Sequence, residues 1–307
     1  MPACSIIRNR EDTEADIMDE SKKKIVFFDI DGTIYSFLKG VPADTAAAIR
    51  ALKENGHIPV ICTGRTRSMV FNEITDLGFD HMIAGAGTYV ESGGEEIHNE
   101  ELDEDRIREL ADGYRRHGFF PIAEGRDFLY MDDESGCDLT PEAAKFIGIY
   151  RHMLADRCLS FDEKHIHAAK VSAGYTPLSD PAGMIDEFRG GYSCINHNGM
   201  LLELIKKGTT KAGGIEILLD HLKIPVENTY AFGDSFNDLE MLKYVKYGVA
   251  MGNSDPEIFK EVSYRTGKFD EGGIADALER FGLIRTKENQ GWSGESRKNQ
   301  SSAGAEK

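Results

Sequence analysis

Positive charge is in short supply in this chain: 36 lysines and arginines stand against 53 aspartates and glutamates, a formal net charge of −17. Such a balance opposes phosphate backbones and anionic membranes, and no segment gathers Lys and Arg into a basic stripe, so nucleic acid is not an expected partner. Long apolar runs are also missing. None approaches the ~18 residues needed to span a bilayer, and the first residues lack a signal peptide's apolar stretch. The expected setting is cytoplasmic, with no membrane partner. Cysteine is scarce: Cys4, Cys62, Cys137, Cys158 and Cys194 show no CxxC spacing and leave one unpaired. That suits a reducing compartment and argues against a thiolate zinc site. What remains is an ordinary globular composition, 307 residues with 40% apolar side chains, enough for two packed domains.

The most informative segment is Ile25-Val26-Phe27-Phe28-Asp29-Ile30-Asp31-Gly32-Thr33. Four apolar residues in succession read as a strand buried on both faces, the kind found in parallel sheets flanked by helices. Two carboxylates at its C-terminal end, followed by a glycine turn, lie on the edge where open α/β sheets bind ligands. The same layout recurs. A helix at 44–56, with Asp44 as its expected cap and Gly56 as its stop, precedes the strand Ile58-Pro59-Val60-Ile61-Cys62, which ends in Thr63-Gly64-Arg65; a second helix is expected from about Ser68 to Leu77. After a helix from Lys211 to about Leu222, the strand Thr229-Tyr230-Ala231-Phe232 ends in Gly233-Asp234-Ser235-Phe236-Asn237-Asp238, and Tyr247 to Gly252 adds a further strand.

Between these units, from about 85 to 197, short strands such as 128–131 and 168–171 alternate with acidic helical stretches, the texture of an inserted α+β domain. The expected fold class is therefore α/β: a doubly wound, mostly parallel sheet (22–84 and 198–285) carrying an inserted α+β cap (85–197). Residues 1–21 and 286–307 are polar, with little periodicity, and read as disordered ends.

Three strand ends deliver polar groups to one edge: Asp29 with Asp31, Thr63, and Asp234 with Asp238. Mg²⁺ prefers hard oxygen ligands and usually takes one or two carboxylates, leaving positions for water and a substrate phosphate. With its charge masked, a carboxylate can attack phosphorus and form an aspartyl-phosphate. Asp29, nearest the strand, suits that role. Asp31, two residues on, suits protonation of the leaving oxygen and later activation of water. Thr33 and Thr63 would donate to phosphoryl oxygens, and Lys211 at a helix start adds a cation beside the helix dipole. This spreads the electrostatic stabilisation that phosphoryl transfer needs over several donors.

Asp29-Ile30-Asp31-Gly32-Thr33, Thr63-Gly64-Arg65, Lys211 and Gly233-Asp234-Ser235-Phe236-Asn237-Asp238, in this order, resemble the four motifs of haloacid dehalogenase superfamily phosphatases, over about residues 24 to 284. Only about thirty residues separate Asp31 from Thr63, too few for a large cap, whereas roughly 145 lie between Arg65 and Lys211. This placement resembles the Cof-like subgroup with a type IIB cap. The resemblance implies a Rossmann-like core, Mg²⁺ as cofactor and a small phosphorylated metabolite as substrate, a sugar phosphate or a phosphorylated cofactor. It implies Asp29 as nucleophile and metal ligand, Asp31 as acid/base and backbone-carbonyl metal ligand, and Asp234 on the metal. Asp238 and Asn237 would support the metal shell, and Thr63, Gly64 and Lys211 would bind phosphate. One departure stands out: where many relatives carry Asn-Gly after the strand leading to the cap, this chain has Ala86-Gly87.

Plainer readings exist for each residue. Asp-Gly is a common solvated turn, Thr63 suits helix entry, an isolated lysine is usually a surface residue, and Asp238 suits the positive end of a helix N-terminus. His165 and His167, which could present two imidazoles on one strand face, lack a third ligand nearby and read as structural or solvated. Phe119, Phe120, Phe128 and Tyr130 read as cap core, with Arg126 and Lys170 as candidate substrate contacts. Two other functions use similar parts: a phosphomutase, and a non-enzymatic switch phosphorylated on aspartate. The first usually carries its cap between Asp31 and Thr63, and the second needs only about 120 residues and no Asp31. The expected assembly is a monomer or small homo-oligomer.

Overall fold

The computed structural model describes residues 23–133 and 136–285; the disorder expected at 1–21 and 286–307 lies outside the described residues, as does Cys4. Ile25–Phe28 forms the expected strand, and all four of its side chains are fully buried. It is the centre of an eight-stranded sheet. In spatial order the strands are Tyr264–Arg265, Tyr247–Ala250, Thr229–Gly233, Ile25–Phe28, Ile58–Cys62, His81–Ala84, Tyr89–Ser92 and Glu95–Asn99. The first six run parallel, and the last two add an antiparallel edge. The register sets Phe28 level with both Ile61 and Phe232, so the residues that follow each strand emerge side by side at one sheet edge. Chains diverge to opposite sides of the sheet from the central strand, which makes that edge a switch point suited to a ligand.

The flanking helices follow their apolar periodicity. Ala43–Glu54 buries Thr45, Ala48, Ile49 and Leu52 on one face. Its cap position is Pro42 rather than Asp44, which lies in the first turn and accepts from the Thr45 amide at 2.7 Å. The helix expected from Ser68 to Leu77 is broken into a short turn at Arg67–Met69 and another at Asn72–Thr75. Val70 and Phe71 are extended between them: Phe71 is buried with its ring 5.3 Å from that of Tyr150, and the Arg157 guanidinium takes the carbonyls of Ser68 and Val70. Tertiary contacts win over helical propensity there.

A second, six-stranded sheet covers the switch-point edge, ordered Tyr192–His197, Leu201–Lys206, Lys170–Gly174, Phe120–Glu124, Leu129–Tyr130 and Cys158–Leu159. Both expected limits of the insert move. Tyr89–Ser92 and Glu95–Asn99, placed in the cap by a boundary at 85, extend the core sheet, because the Gly85-Ala86-Gly87 turn at positive φ folds the chain straight back along His81–Ala84. Leu201–Lys206, placed in the core by a boundary at 197, pairs with Tyr192–His197 through a turn in which Asn198 and Gly199 both have positive φ. Asn-Gly is the favoured dipeptide for such a turn.

One face of this second sheet packs under the helices Glu104–Arg116 and Pro181–Phe188 through Ile107, Leu110, Tyr114, Met184 and Phe188. Strand alternation turns the other side chains toward the core domain. Val171 and Ala173 face the helices while Lys170 and Ser172 face away, and Leu202 and Leu204 face them while Glu203 faces away. The helix Pro141–Met153 joins the two parts, with Ile147 and Tyr150 in the same apolar cluster as Val70 and Phe71 of the core.

Candidate active site

Asp29, Asp31, Thr63 and Gly64 line a cavity of about 370 Å³ between the two sheets. Asp29 is 5% exposed, its amide donating to the Phe232 carbonyl in continuation of the sheet. Gly32 follows with φ +79°, and a side chain there would collide with the Asp234 carboxylate, so glycine is required for both conformation and space. Thr33 is fully buried and donates from Oγ1 to Asp234 Oδ1 at 3.3 Å. Thr63 Oγ1 accepts from the Arg65 amide at 3.1 Å.

Lys211 begins the helix Lys211–Leu222, capped by Thr210, whose hydroxyl accepts from the Gly213 amide. Its ammonium donates to Asp29 Oδ1 at 2.5 Å and to Asp238 Oδ1 at 2.6 Å, with all three side chains buried. Asp238 Oδ2 in turn accepts from the Asp234 and Ser235 amides, both at 3.0 Å, which fixes the turn after Thr229–Gly233. Asp29, Asp234 and Asp238 each bring a carboxylate oxygen within 4.8 Å of the others. Burial pushes Asp29 well above the usual carboxylate range and the Asp238 charge adds to it, while Lys211 opposes them. Burial and Asp238 likewise carry Asp234 to about 7. Burial would strip the proton from Lys211, yet Asp238 and Asp29 override it and hold the ammonium charged. Three crowded, hard oxygen donors with more negative charge than one lysine can offset are a donor set that fits Mg²⁺.

Asp31 and Asn237 line the same cavity, each with a partner of its own. The Asp31 side chain is outside the carboxylate cluster: Arg65 grips it from Nε at 2.8 Å and Nη2 at 2.5 Å. Arg65 itself is buried, its guanidinium 4.8 Å from the Phe71 ring centre, 5.2 Å from Phe37, 5.4 Å from Tyr35 and 5.6 Å from Tyr150. Asn237 is exposed and accepts from the Ser235 hydroxyl. Asn253, not anticipated from sequence, donates from Nδ2 to the Gly32 carbonyl at 2.8 Å and to Asp234 Oδ2 at 3.3 Å. Nothing in its surroundings along the chain marks it, because its partners are distant in sequence.

The cap side of the cavity carries Glu124, Lys170, Ser172, His197 and Glu203. Only Lys170 among these was a candidate from sequence, and the available signal was polar residues alternating with apolar ones in strands at Lys170–Gly174 and Leu201–Lys206. Arg126 instead pairs with Asp127 and Glu96 away from this cavity. His165 and His167 each meet a glutamate, Glu104 at 3.4 Å and Glu101 at 3.0 Å, as solvated side chains. Ala86 adopts φ 56° and ψ 29° inside the buried turn, its amide donating to the Thr63 carbonyl at 2.9 Å, so the position calls for a left-handed residue whatever its side chain.

Residues 26–278 match the family model of haloacid dehalogenase-like hydrolases. The chain is 29% identical over 279 residues to YkrA of Bacillus subtilis (strain 168), which carries a phosphatase name, covering 85% of this chain and 99% of that one. It is also 29% identical over 278 residues to the 5-amino-6-(5-phospho-D-ribitylamino)uracil phosphatase YitU of the same strain, covering 85% and 98%. Among solved structures, the subclass IIB sugar phosphatase BT4131 superposes with a TM-score of 0.72 at 26% identity, covering 85% of this chain and all of that one.

Proposed function

The chain belongs to the haloacid dehalogenase-like hydrolase family and is a phosphoric monoester hydrolase of its Cof-like kind, and from that premise we propose a Mg²⁺-dependent phosphatase that works through an aspartyl-phosphate on Asp29. The observation that carries the reading is the buried Asp29–Lys211–Asp238 contact beside Asp234, with Asp29 and Asp31 both lining one cavity.

Asp29 and Asp234 would hold the ion, with the Asp31 backbone carbonyl, and Asp238 would support them. When bound, the ion masks the negative charge of nucleophile and phosphoryl group. Asp29 Oδ forms a bond to phosphorus as the ester P–O bond breaks, and Asp31 delivers its proton to the departing oxygen. A water then gives a proton to Asp31 and attacks the phosphorus, releasing inorganic phosphate and restoring Asp29. Arg65 can keep its hold on Asp31 throughout, because each carboxylate oxygen accepts more than one hydrogen bond. Thr63, the Gly64 backbone and Asn237 line the phosphate position, Thr33 from behind it orients the Asp234 carboxylate, and Lys211 supplies a fixed cation to the equatorial oxygens.

The substrate is a small phosphorylated metabolite, supported by a cavity at the lower end of the ~300–1,000 Å³ range of small-molecule sites. The cap above it excludes bulk water and reads the leaving group. Among the described residues, no helix is long and apolar enough to cross a membrane. Free thiols at Cys62, Cys137 and Cys194 support a reducing, cytoplasmic setting. Replacing the nucleophile tests the whole scheme: Asp29→Asn abolishes Mg²⁺-dependent phosphate release from p-nitrophenyl phosphate while the fold persists, and retained turnover overturns the assignment.

A further inference from the structure

We infer that the cap wall of the cavity selects esters whose leaving group is neutral and hydroxyl-bearing, and rejects those carrying a second anion, through the buried cluster Glu124–Lys170–Glu203. This rests on the phosphatase reading above and adds which side chains choose the substrate. Lys170 is registered directly opposite Glu124 across the strand pair, and Glu203 directly opposite Ser172. The Lys170 ammonium reaches Glu124 Oε2 at 3.2 Å, contacts Glu203 Oε1, and donates to the Gly64 carbonyl at 2.9 Å. His197 Nε2 lies 2.7 Å from Glu203 Oε2, and the Ser172 hydroxyl contacts Glu124 Oε1. Lys170, Glu124 and Glu203 are all nearly inaccessible, and one lysine faces two carboxylates.

The cations lining the cavity, Arg65 and Lys170, are already matched, and so is Lys211, which is bonded to Asp29. Arg65 is taken by Asp31, Lys170 by Glu124 and Glu203, and Lys211 by Asp29 and Asp238. The phosphoryl group has Lys211 and the metal site, but a carboxylate or second phosphate on the leaving group would meet Glu124 and Glu203 in a low-dielectric pocket with no cation to spare, which is costly. A hydroxyl meets no such conflict. It donates to either glutamate, whose carboxylate oxygens each accept more than one hydrogen bond, replacing the water it loses. The remaining wall, with Phe146, Tyr150 and Met200, suits the C–H face of such a group. Carboxylates facing a site are a device for excluding wrong ligands as much as for binding the right one.

The test uses matched esters: phenyl and 4-carboxyphenyl phosphate, glycerol 3-phosphate and 3-phosphoglycerate, glucose 6-phosphate and 6-phosphogluconate. The expected result is a kcat/KM at least tenfold higher for the neutral member of every pair that turns over. Glu203→Gln leaves Lys170 with charge to spare and narrows the ratio at least threefold, whereas a merely structural role lowers both members alike. Glu124→Gln does the same, should the first variant fail to fold. Binding of the intact esters to full-length Asp29→Asn protein, followed by calorimetry, reads the same ratio without turnover. Equal or better handling of the anionic members by the unmodified enzyme and by Asp29→Asn protein, or an unchanged ratio in a folded glutamate variant, overturns the inference. Absence of phosphate release from every ester, with the binding ratio still favouring neutral members, overturns the phosphatase reading and leaves the selectivity standing.

Discussion

Lys211→Met removes the one cation between two buried carboxylates and keeps the aliphatic stem, so its cost can be worked from geometry. Asp29 is 5% exposed and Asp238 is fully buried, with the ammonium 2.5 and 2.6 Å from their oxygens. Removing one partner of a buried ion pair costs about 3–5 kcal/mol, because the other charge is left without compensation. Here two charges are left, and protonation of one of them caps the loss, since each unit of pKa is ~1.4 kcal/mol. The sign follows. Asp29 already has its folded pKa above the unfolded value, and without Lys211 it rises further. A carboxyl of that kind stabilises the fold below its unfolded pKa and loses this as pH rises through the folded pKa. The deficit relative to the unmodified protein should therefore be largest near pH 7.5 in EDTA, about 3–5 kcal/mol, and smaller at pH 5. Mg²⁺ should also shrink it, because three unpaired carboxylates bind a divalent ion more tightly and a ligand at 100 times its Kd adds about 2.7 kcal/mol. Urea titration at both pH values, with EDTA and with Mg²⁺, measures all of this. A deficit below about 1 kcal/mol, or one indifferent to both proton and Mg²⁺, refutes the reasoning.

Other perturbations probe separate parts. Arg65→Lys loses the two-pronged grip on Asp31 and the fit between four aromatic rings; charge-assisted bonds of about 1.5–3 kcal/mol each, discounted for the half-exposed Asp31 side chain, predict a stability loss of about 1–3 kcal/mol, a kcat at least tenfold lower and a shifted pH profile. An unchanged pH–rate profile would show that Arg65 does not position Asp31. Ala86→Gly relieves a left-handed alanine worth about 1–2 kcal/mol and adds chain entropy worth about 0.5–1, so Tm should hold or rise slightly, and a fall of several degrees in a melting scan contradicts the strain. Burial lowers the pKa of His57, helped by Lys24, and burial also lowers His81. The unfolded chain then binds more protons, so stability falls as pH drops through ~6.5, and the urea midpoint of a His57→Gln/His81→Gln protein should lose part of that slope between pH 7.5 and 5.5.

Much of the catalytic edge was legible because it depends on local pattern. An uninterrupted apolar tetrad before Asp29, and similar runs before Thr63 and Asp234, identify buried parallel strands, and polar residues just after such strands must meet at one edge. The helix at Lys211–Leu222 came out with its observed limits because its cap and its periodicity agree. The insert's borders did not. Tyr89–Ser92 and Leu201–Lys206 are assigned to a sheet by pairing, which the residues of one strand do not encode alone. The broken helix after Ser68 failed for a related reason: Phe71 fills a place between Tyr35 and Tyr150 that outweighs its helical neighbours.

By itself, the sequence determined the chemistry on offer: which carboxylates, hydroxyls and lysine stand at strand ends, and in what order. These follow from side-chain type and from periods of two and 3.6 residues, which act over short spans. Tertiary structure decided which oxygens share a cation. It placed Asp29, Asp234 and Asp238 around one point, turned Asp31 onto Arg65, and brought Lys170 to the carbonyl of Gly64, 106 residues away. Electrostatic energy depends on distance and on exclusion of water, and both are set by how the two sheets close over one another.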